Sequence, residues 1–168
     1  MRFLFLAVVL RVLSLPGWFD WTLWPLVFFA IACRASSLPL GSLRSHYFAG
    51  GVFWLFAFYF LGNVTYLAPV GAALIMGATW FFETFFYRWL NKKISHNFSA
   101  FFALLICEWV RMKWFYLAVG GVPWASWALP FAESPFLPLA AWVGEYGFLV
   151  LFLPIGVYLS RLFNGNYF

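Results

Sequence analysis

A glutamate and an arginine lie three positions apart in a long apolar stretch, at Glu108 and Arg111. Ionisable side chains are costly in an apolar environment, so they mark either a functional site or a buried ion pair. Residues at i and i+3 share a helix face, and these two side chains are therefore expected to pair. Glu145, in the next apolar segment, is expected at a similar depth. The three residues together predict one polar cluster inside a helical bundle.

This cluster has two interpretations at the level of sequence. In the first, Glu108 and Arg111 form an internal ion pair that fastens the fifth apolar segment to the sixth. In the second, the cluster is the polar floor of a lipid-headgroup or acyl-ester site that opens outward, with Asn63, Pro123 and Trp124 near the opening. Asn63 also fits a simple polar cap at a helix end.

The composition assigns the chain to the integral membrane proteins. Only 9% of its 168 residues are charged, against roughly 25% in soluble domains. The mean hydropathy is +0.90, and the many aromatic residues suit the two membrane interfaces. The net charge of +5 comes from basic residues scattered at segment ends. This distribution argues against nucleic acid as a partner.

Six apolar segments alternate with short connections, which leaves no room for a soluble domain. They predict an all-α, polytopic transmembrane helix bundle with about six membrane segments, in a single integral membrane domain over residues 1–168. The first two segments are short and are expected either as a pair of helices or as a re-entrant hairpin. The segments cover residues 3–15, 21–35, 47–67, 69–89, 98–119 and 136–162.

The basic residues also predict an orientation. With a cytoplasmic N-terminus, seven of them fall on the inside and none falls in the three outer connections. This asymmetry is the positive-inside signal, and it predicts that both termini face the cytoplasm. The seven residues are Arg2, Arg34, Arg44, Arg88, Lys92, Lys93 and Arg161.

The remaining reactive residues predict neither a metal site nor a cofactor. Cys33 and Cys107 are isolated thiols without metal-ligand spacing, and a disulfide between them is not expected. His46 and His96 are expected at the ends of segments. Glu83 is expected to pair loosely with the nearby arginine of the same segment, at position 88.

Several motifs, taken in order, resemble the membrane part of the apolipoprotein N-acyltransferase family. In that family a Glu-Trp-x-Arg stretch near a helix end leads into a Gly-Phe-Pro-Trp corner, and a Gly-x-x-Gly follows in the next helix. The chain has Glu-Trp-Val-Arg at 108–111, Gly-Gly-Val-Pro-Trp at 120–124 and Gly-Glu-Tyr-Gly at 144–147. The stretches 14–16 with 24–25, and 62–66, resemble the family's first hairpin and the end of its third helix. The likeness covers nearly the whole chain, with Val122 and Met112 as departures from the usual Phe and Gly.

The resemblance implies a protein of the bacterial inner membrane with a membrane phospholipid and a lipoprotein as partners. The family transfers an acyl chain from a phospholipid to the N-terminal cysteine amine of a diacylated lipoprotein. Its Cys, Glu and Lys catalytic residues lie in a nitrilase-like domain that has no counterpart among these 168 residues. Cys107 is not expected to replace the nucleophile, because apolar surroundings disfavour the thiolate.

Three hypotheses about function follow from this comparison. The chain is a catalytically incomplete acyltransferase-like module, either truncated or half of a split enzyme whose separate partner is a nitrilase-like polypeptide. Alternatively, it is a non-catalytic membrane protein that binds lipid or lipoprotein. The third hypothesis is an inactive relic.

Overall fold

The computed structural model describes residues 1–15, 23–59, 65–119 and 126–164, of which 114–119, 133 and 164 are described by backbone alone. Within this part the chain forms six α-helices, and a 3₁₀ helix over Leu129–Glu133 precedes the last one. The predicted all-α class is therefore confirmed. The helices are α1 (Arg2–Ser14), α2 (Leu26–Ser37), α3 (Leu43–Ala57), α4 (Ala68–Leu90), α5 (His96–Val119) and α6 (Leu137–Asn164).

The start of α3 shows how local chemistry places a helix boundary. Gly41 adopts a φ of 72°, a left-handed conformation that favours glycine, and turns the chain out of α2. Ser42 then caps the helix, because its hydroxyl oxygen accepts from the Ser45 N–H while Ser45 reciprocates. The helix consequently begins four residues before the apolar segment that we predicted from position 47.

Helix α2 lies at the centre of the bundle. It contacts α1, α5 and α6, and residues 30–38 are all buried. The contact with α6 is close because Gly156 lies against Ile31. A Cβ at Gly156 would lie 2.6 Å from the Ile31 Cβ atom. The apolar, small-residue character of α2 thus makes it the core helix rather than a surface one.

Helices α3 and α4 pack closely against each other. A Cβ added at Gly77 would lie 2.9 Å from the Tyr47 carbonyl oxygen, and one at Gly50 would lie 2.8 Å from the Trp80 Cβ atom. The ring of Phe53 stacks on Trp80 just beside this contact. Small residues that allow two helix backbones to approach are typical of membrane helix pairs.

The prediction of about six membrane segments is wrong. In the part of the chain that the structure describes, two helices are long and apolar enough to cross a membrane, α4 and α6. Helices α1, α2 and α3 have 13, 12 and 15 residues, or roughly 18–23 Å, against about 30 Å of hydrocarbon. Helix α5 is long enough, but Glu108, Arg111 and Lys113 interrupt its apolar character.

The orientation predicted from six crossings does not follow once that count is corrected. One of the seven basic residues used for it, Arg34, also lies inside the bundle and is fully buried. Arg34 therefore serves an internal contact, and its charge does not indicate which side of a membrane this part of the chain faces. The first two segments form the short helices α1 and α2, which pack against each other. This contact is compatible with both a pair of helices and a re-entrant hairpin.

The outer faces of α4 and α6 are strongly apolar. Only 39% of the most apolar stretch of α4, and 33% of that of α6, is buried inside the protein. The α4 residues Leu74 and Ile75 and the α6 residues Trp142 and Leu162 are among the large side chains left exposed. Exposed apolar surface of this extent needs an apolar partner or a lipid phase. These two helices are therefore suited to a membrane.

Candidate functional site

The predicted pair of Glu108 and Arg111 is present on α5. Arg111 donates from Nε to Oε2 of Glu108 at 3.0 Å and from Nη2 to Oε1 at 2.8 Å. Both side chains are almost fully buried. A two-point contact between a guanidinium and a carboxylate fixes both groups in orientation as well as in distance.

The Glu108 carboxylate also fixes a neighbouring part of the chain. The backbone N–H of Trp127 donates to Glu108 Oε1 at 2.9 Å. Trp127 lies just before the 3₁₀ helix, so the contact holds α5 to the segment that leads into α6. The ion pair therefore fastens α5 to the approach of α6, and not directly to α6 as the first interpretation expected.

Arg11 of α1 completes this region, and sequence reasoning missed it. Its guanidinium carbon lies 3.1 Å from the centre of the Trp127 ring and 5.1 Å from that of Phe53. The signal was an arginine in the last turn of α1, directly after a run of eight apolar residues. Such a residue is buried only when the fold provides it with partners. Trp54 also belongs to this region, because the centre of its ring lies 5.3 Å from the guanidinium carbon of Arg111. We call the region the Glu108 cluster; its residues are Arg11, Trp54, Glu108, Arg111 and Trp127.

A pocket of about 210 Å³ lies next to the Glu108 cluster, between the 3₁₀ helix and α6. Its walls are almost entirely apolar, and Glu145 supplies its carboxyl group. Three alanines leave the space open, while two phenylalanines form the apolar walls. The lining residues are Ser126, Ala128, Leu129, Phe131, Ala132, Leu137, Ala140, Glu145 and Phe148.

A break in α6 places Glu145 at this pocket. Gly144 has a φ of 67° and a ψ of 175°, so the helix stops and restarts there. Glu145 begins the longer part of α6 and lines the pocket together with Ser126. The Ser126 oxygen accepts in turn from the N–H groups of Ala128 and Leu129, both at 3.2 Å.

The structure therefore brings the three predicted ionisable residues near one another in an unequal way. Glu108 and Arg111 are in direct contact, whereas Glu145 lines the pocket and interacts electrostatically with both. The other predicted site residues, Asn63, Pro123 and Trp124, lie outside the described residues.

A second buried ion pair, between Arg34 of α2 and Glu83 of α4, was also missed. Arg34 Nε donates to Glu83 Oε2 at 2.9 Å, and neither side chain is appreciably exposed. The expected pair of Glu83 with Arg88 is wrong. Arg88 instead donates to the Gly41 carbonyl oxygen at 2.7 Å and thereby holds the turn before α3.

Every N–H group of the Arg34 guanidinium has an acceptor inside the protein. Nη1 reaches Ser37 and His46, and Nη2 reaches the Trp80 carbonyl oxygen and Thr84. With the Glu83 contact, these account for the five donors that a guanidinium carries. We call Arg34, Ser37, His46, Glu83 and Thr84 the Arg34 cluster.

The geometry of the Arg34 cluster fixes the protonation state of His46. Arg34 only donates, so His46 Nδ1 must accept its bond of 2.8 Å. Nε2 must then carry the hydrogen, which it donates to the Leu40 carbonyl oxygen at 2.7 Å. Burial, together with the positive charge of Arg34, lowers the pKa of His46 from 6.5 to about 4. His46 is therefore neutral at neutral pH.

The described residues do not bring together a nucleophile and a base. Cys33 is buried in the core and Cys107 is half-buried on α5. Among the described residues, neither thiol takes part in a hydrogen bond, whereas an activated cysteine needs a basic or cationic neighbour. What this region offers is an apolar recess that is lined by the carboxyl group of Glu145.

No protein-family model, curated protein or solved structure matches this chain.

Proposed function

We propose that these 168 residues form a membrane module that binds a lipid acyl chain, similar to the membrane part of apolipoprotein N-acyltransferase. The module lies in the bacterial inner membrane, with α4 and α6 crossing the bilayer. It presents a phospholipid, and with it the lipoprotein substrate, to catalytic residues outside these 168 residues. Those residues belong either to further chain of the same protein or to a separate nitrilase-like polypeptide.

The observation that carries this proposal is the apolar pocket beside the Glu108 cluster. An apolar recess that carries a single carboxyl group is the kind of concave site in which small apolar ligands bind. The recess has a volume of about 210 Å³, and its apolar lining suits part of an acyl chain. The apolar outer face of α6 allows a lipid to approach from the bilayer.

A photolabelling experiment tests the binding. The protein is reconstituted into phosphatidylcholine vesicles that contain traces of a phospholipid with a photoactivatable group in its acyl chain. We expect labelling of peptides from residues 126–148, and at least a fivefold loss of that labelling in Ala140→Phe, which fills the pocket. Ala141→Phe is the matched control, because Ala141 is exposed and does not line the pocket.

An acyl-transfer assay tests whether the catalytic residues lie outside these 168 residues. The purified 168-residue chain is expected not to transfer labelled phospholipid acyl groups to a diacylated lipopeptide, because its described residues lack an activated nucleophile. Turnover by this chain alone refutes the claim that the catalytic residues lie elsewhere. Turnover that appears only when a nitrilase-like polypeptide is added supports the split arrangement.

A non-catalytic lipid- or lipoprotein-binding protein is the second candidate. Among the described residues neither Cys33 nor Cys107 is hydrogen-bonded to a base, which favours this candidate because binding alone requires no nucleophile. The two candidates make different predictions for the genome. A neighbouring gene that encodes a nitrilase-like domain with Cys, Glu and Lys supports the acyltransferase module, and its absence from the whole genome supports the second candidate.

A further inference from the structure

We propose that the end of the bundle at which α4 and α6 terminate binds the headgroups of anionic phospholipids. This surface is separate from the pocket. The proposal rests on one part of the proposed function, the crossing of a membrane by α4 and α6, and adds a second binding surface to it. We call this surface the basic end; its residues are Arg2, Arg44, Arg88, Lys92, Lys93 and Arg161.

Contacts between the helix ends place these residues together. Arg88 Nη2 donates to the Gly41 carbonyl oxygen at 2.7 Å, which joins the end of α4 to the turn before α3. The Met1 sulfur lies 3.5 Å from the position that a Cβ of Gly41 would take, so the start of α1 meets the same turn. The Tyr87 hydroxyl and His96 Nδ1 lie 2.7 Å apart and join α4 to the start of α5. An aromatic contact joins the start of α1 to the end of α6.

Positive charge is concentrated at this end of the surface. The chain has ten basic residues, and six of them form the basic end. Lys113 is exposed but lies 17 positions after the start of α5, roughly 26 Å away along the helix. The other three are buried inside the bundle: Arg11, Arg34 and Arg111.

The described acidic residues do not offset this charge. Glu83 and Glu108 are buried and each is engaged by an arginine of the interior. Glu145 precedes Arg161 by 16 positions on the longer part of α6, roughly 24 Å along the helix. Glu133 lies before α6 begins. The basic end therefore carries a net positive charge, which attracts anions.

Exposed apolar side chains lie among the basic residues and favour a lipid surface over a soluble polyanion. Trp89, Phe98 and Leu162 are 46%, 62% and 75% exposed. The Lys93 ammonium lies 4.6 Å from the centre of the Trp89 ring. Tryptophan beside basic side chains is typical of residues at the headgroup level of a bilayer. A nucleic acid or an acidic peptide would pair with the charges and leave the apolar side chains in water.

The two apolar helices bring the basic end to the correct depth. Arg88 and Arg161 lie in the last turns of α4 and α6, the helices that are long enough to cross a bilayer. A helix that crosses the hydrocarbon layer ends at the headgroups. The basic residues then lie next to lipid phosphates, and each cation near an anionic leaflet adds to the attraction.

The test compares photoactivatable phosphatidylglycerol with photoactivatable phosphatidylcholine, both with the reactive group near the glycerol backbone. The protein is held in phosphatidylcholine nanodiscs that contain traces of one probe, and labelling of peptides from residues 85–98 is measured. We expect at least fivefold more labelling by phosphatidylglycerol at about 0.1 M salt, and a preference below twofold at about 0.5 M, because salt screens exposed charges. Equal labelling by the two lipids at the lower salt concentration overturns the proposal.

Two variants assign the preference to the basic end. Lys92→Glu and Lys113→Glu make the same change of charge at exposed positions, one inside the basic end and one outside it. Lys92→Glu should lower the preference for phosphatidylglycerol at least threefold, and Lys113→Glu should leave it unchanged. Equal reductions in the two variants show that net charge alone is responsible and overturn the proposal. So does binding of a short RNA or an acidic peptide without any preference for phosphatidylglycerol.

The outcomes separate this proposal from the function of the pocket. Ala140→Phe should leave the labelling of residues 85–98 by phosphatidylglycerol unchanged. Loss of the phosphatidylglycerol preference with intact acyl-chain labelling of residues 126–148 overturns the role of the basic end alone. Failure of the protein to insert into nanodiscs overturns both, since both require α4 and α6 to cross a bilayer.

Discussion

Two buried ion pairs in the described part of the protein differ in what they join. Arg34 and Glu83 are 49 positions apart in the sequence and connect α2 to α4. Glu108 and Arg111 lie within one helix turn of α5, and a backbone N–H from outside that helix completes the contact. The first pair holds two helices together. The second pair fixes the Glu108 carboxylate, which in turn holds the backbone of Trp127 next to the pocket.

This difference shows which region is suited to a ligand. All five donors of Arg34 are used within the protein, so this guanidinium has no donor left for a further partner. The Glu108 cluster lies beside an apolar recess that contains a second carboxyl group, Glu145. Buried charge alone therefore does not indicate a binding site. A buried charge that lies next to an unfilled pocket is the better indicator of a binding site.

The largest expected effect comes from removing the cation of the Arg34 cluster. Arg34→Met leaves the Glu83 carboxylate buried without its counter-ion and should lower the free energy of unfolding by about 3–5 kcal/mol. Thermal and denaturant unfolding in detergent micelles measure this loss. Arg88→Met is the matched control, because Arg88 is only partly buried and the described structure gives it bonds to the turn carbonyls of Leu40 and Gly41; we expect a loss below about 1 kcal/mol. Equal losses in the two variants contradict the structural role of Arg34.

Acid should weaken the Arg34 cluster before it affects the Glu108 cluster. His46 has a pKa of about 4 in the folded protein and an ordinary pKa of 6.5 when unfolded. The unfolded state therefore binds the proton first, and stability falls as the pH decreases from about 6.5 to about 4. A difference of this size corresponds to roughly 3 kcal/mol. It is checked by unfolding in micelles across this pH range.

The control for this pH dependence is His46→Gln. Glutamine offers Arg34 an acceptor and Leu40 a donor but does not titrate, so the variant should lose most of the decrease between pH 6.5 and 4. An unchanged pH profile in the variant shows that other groups are responsible.

The Glu108 pair should be less costly to break than the Arg34 pair. In Arg111→Leu the Glu108 carboxylate keeps the Trp127 N–H as a partner, so we expect a loss of about 2 kcal/mol in unfolding free energy. Glu108→Gln should cost a similar amount, since it removes the charge that faces Arg111. Lys113→Leu, at an exposed position of the same helix, is the control and should be nearly neutral. If Arg111→Leu lowers the free energy of unfolding more than Arg34→Met does, the expected order of the two ion pairs is wrong.

The sequence predicted those parts of the fold that depend on local pattern. Apolar runs between turn residues gave six helices, and the spacing of Glu108 and Arg111 gave their ion pair, because both follow from the period of a helix. It did not predict how many helices are able to cross a membrane. Apolar residues of a short helix such as α2 serve a protein core as readily as a lipid phase, and composition does not distinguish the two.

Contacts between distant residues were the other part that sequence reasoning missed. Nothing local links Arg34 to Glu83, and the nearer Arg88 was the more plausible partner by spacing. Likewise, Arg11 has no acid close to it in sequence, and its aromatic partners Trp127 and Phe53 come from other parts of the chain. The pocket depends on the break at Gly144, since a continuous α6 would direct Glu145 differently.

The smallest expected effect on stability concerns that break. Gly144 and Gly71 both have open space where a Cβ would lie, but Gly144 alone of the two has a positive φ, of 67°. Gly144→Ala should therefore cost about 1–2 kcal/mol through backbone strain, whereas Gly71→Ala, inside α4, should stabilise by up to about 1 kcal/mol. Unfolding in micelles measures both. Relief of the strain at position 144 requires Glu145 to move. Gly144→Ala should therefore also weaken photolabelling of the pocket at least threefold. An unaltered labelling pattern contradicts the role of the break in forming the pocket.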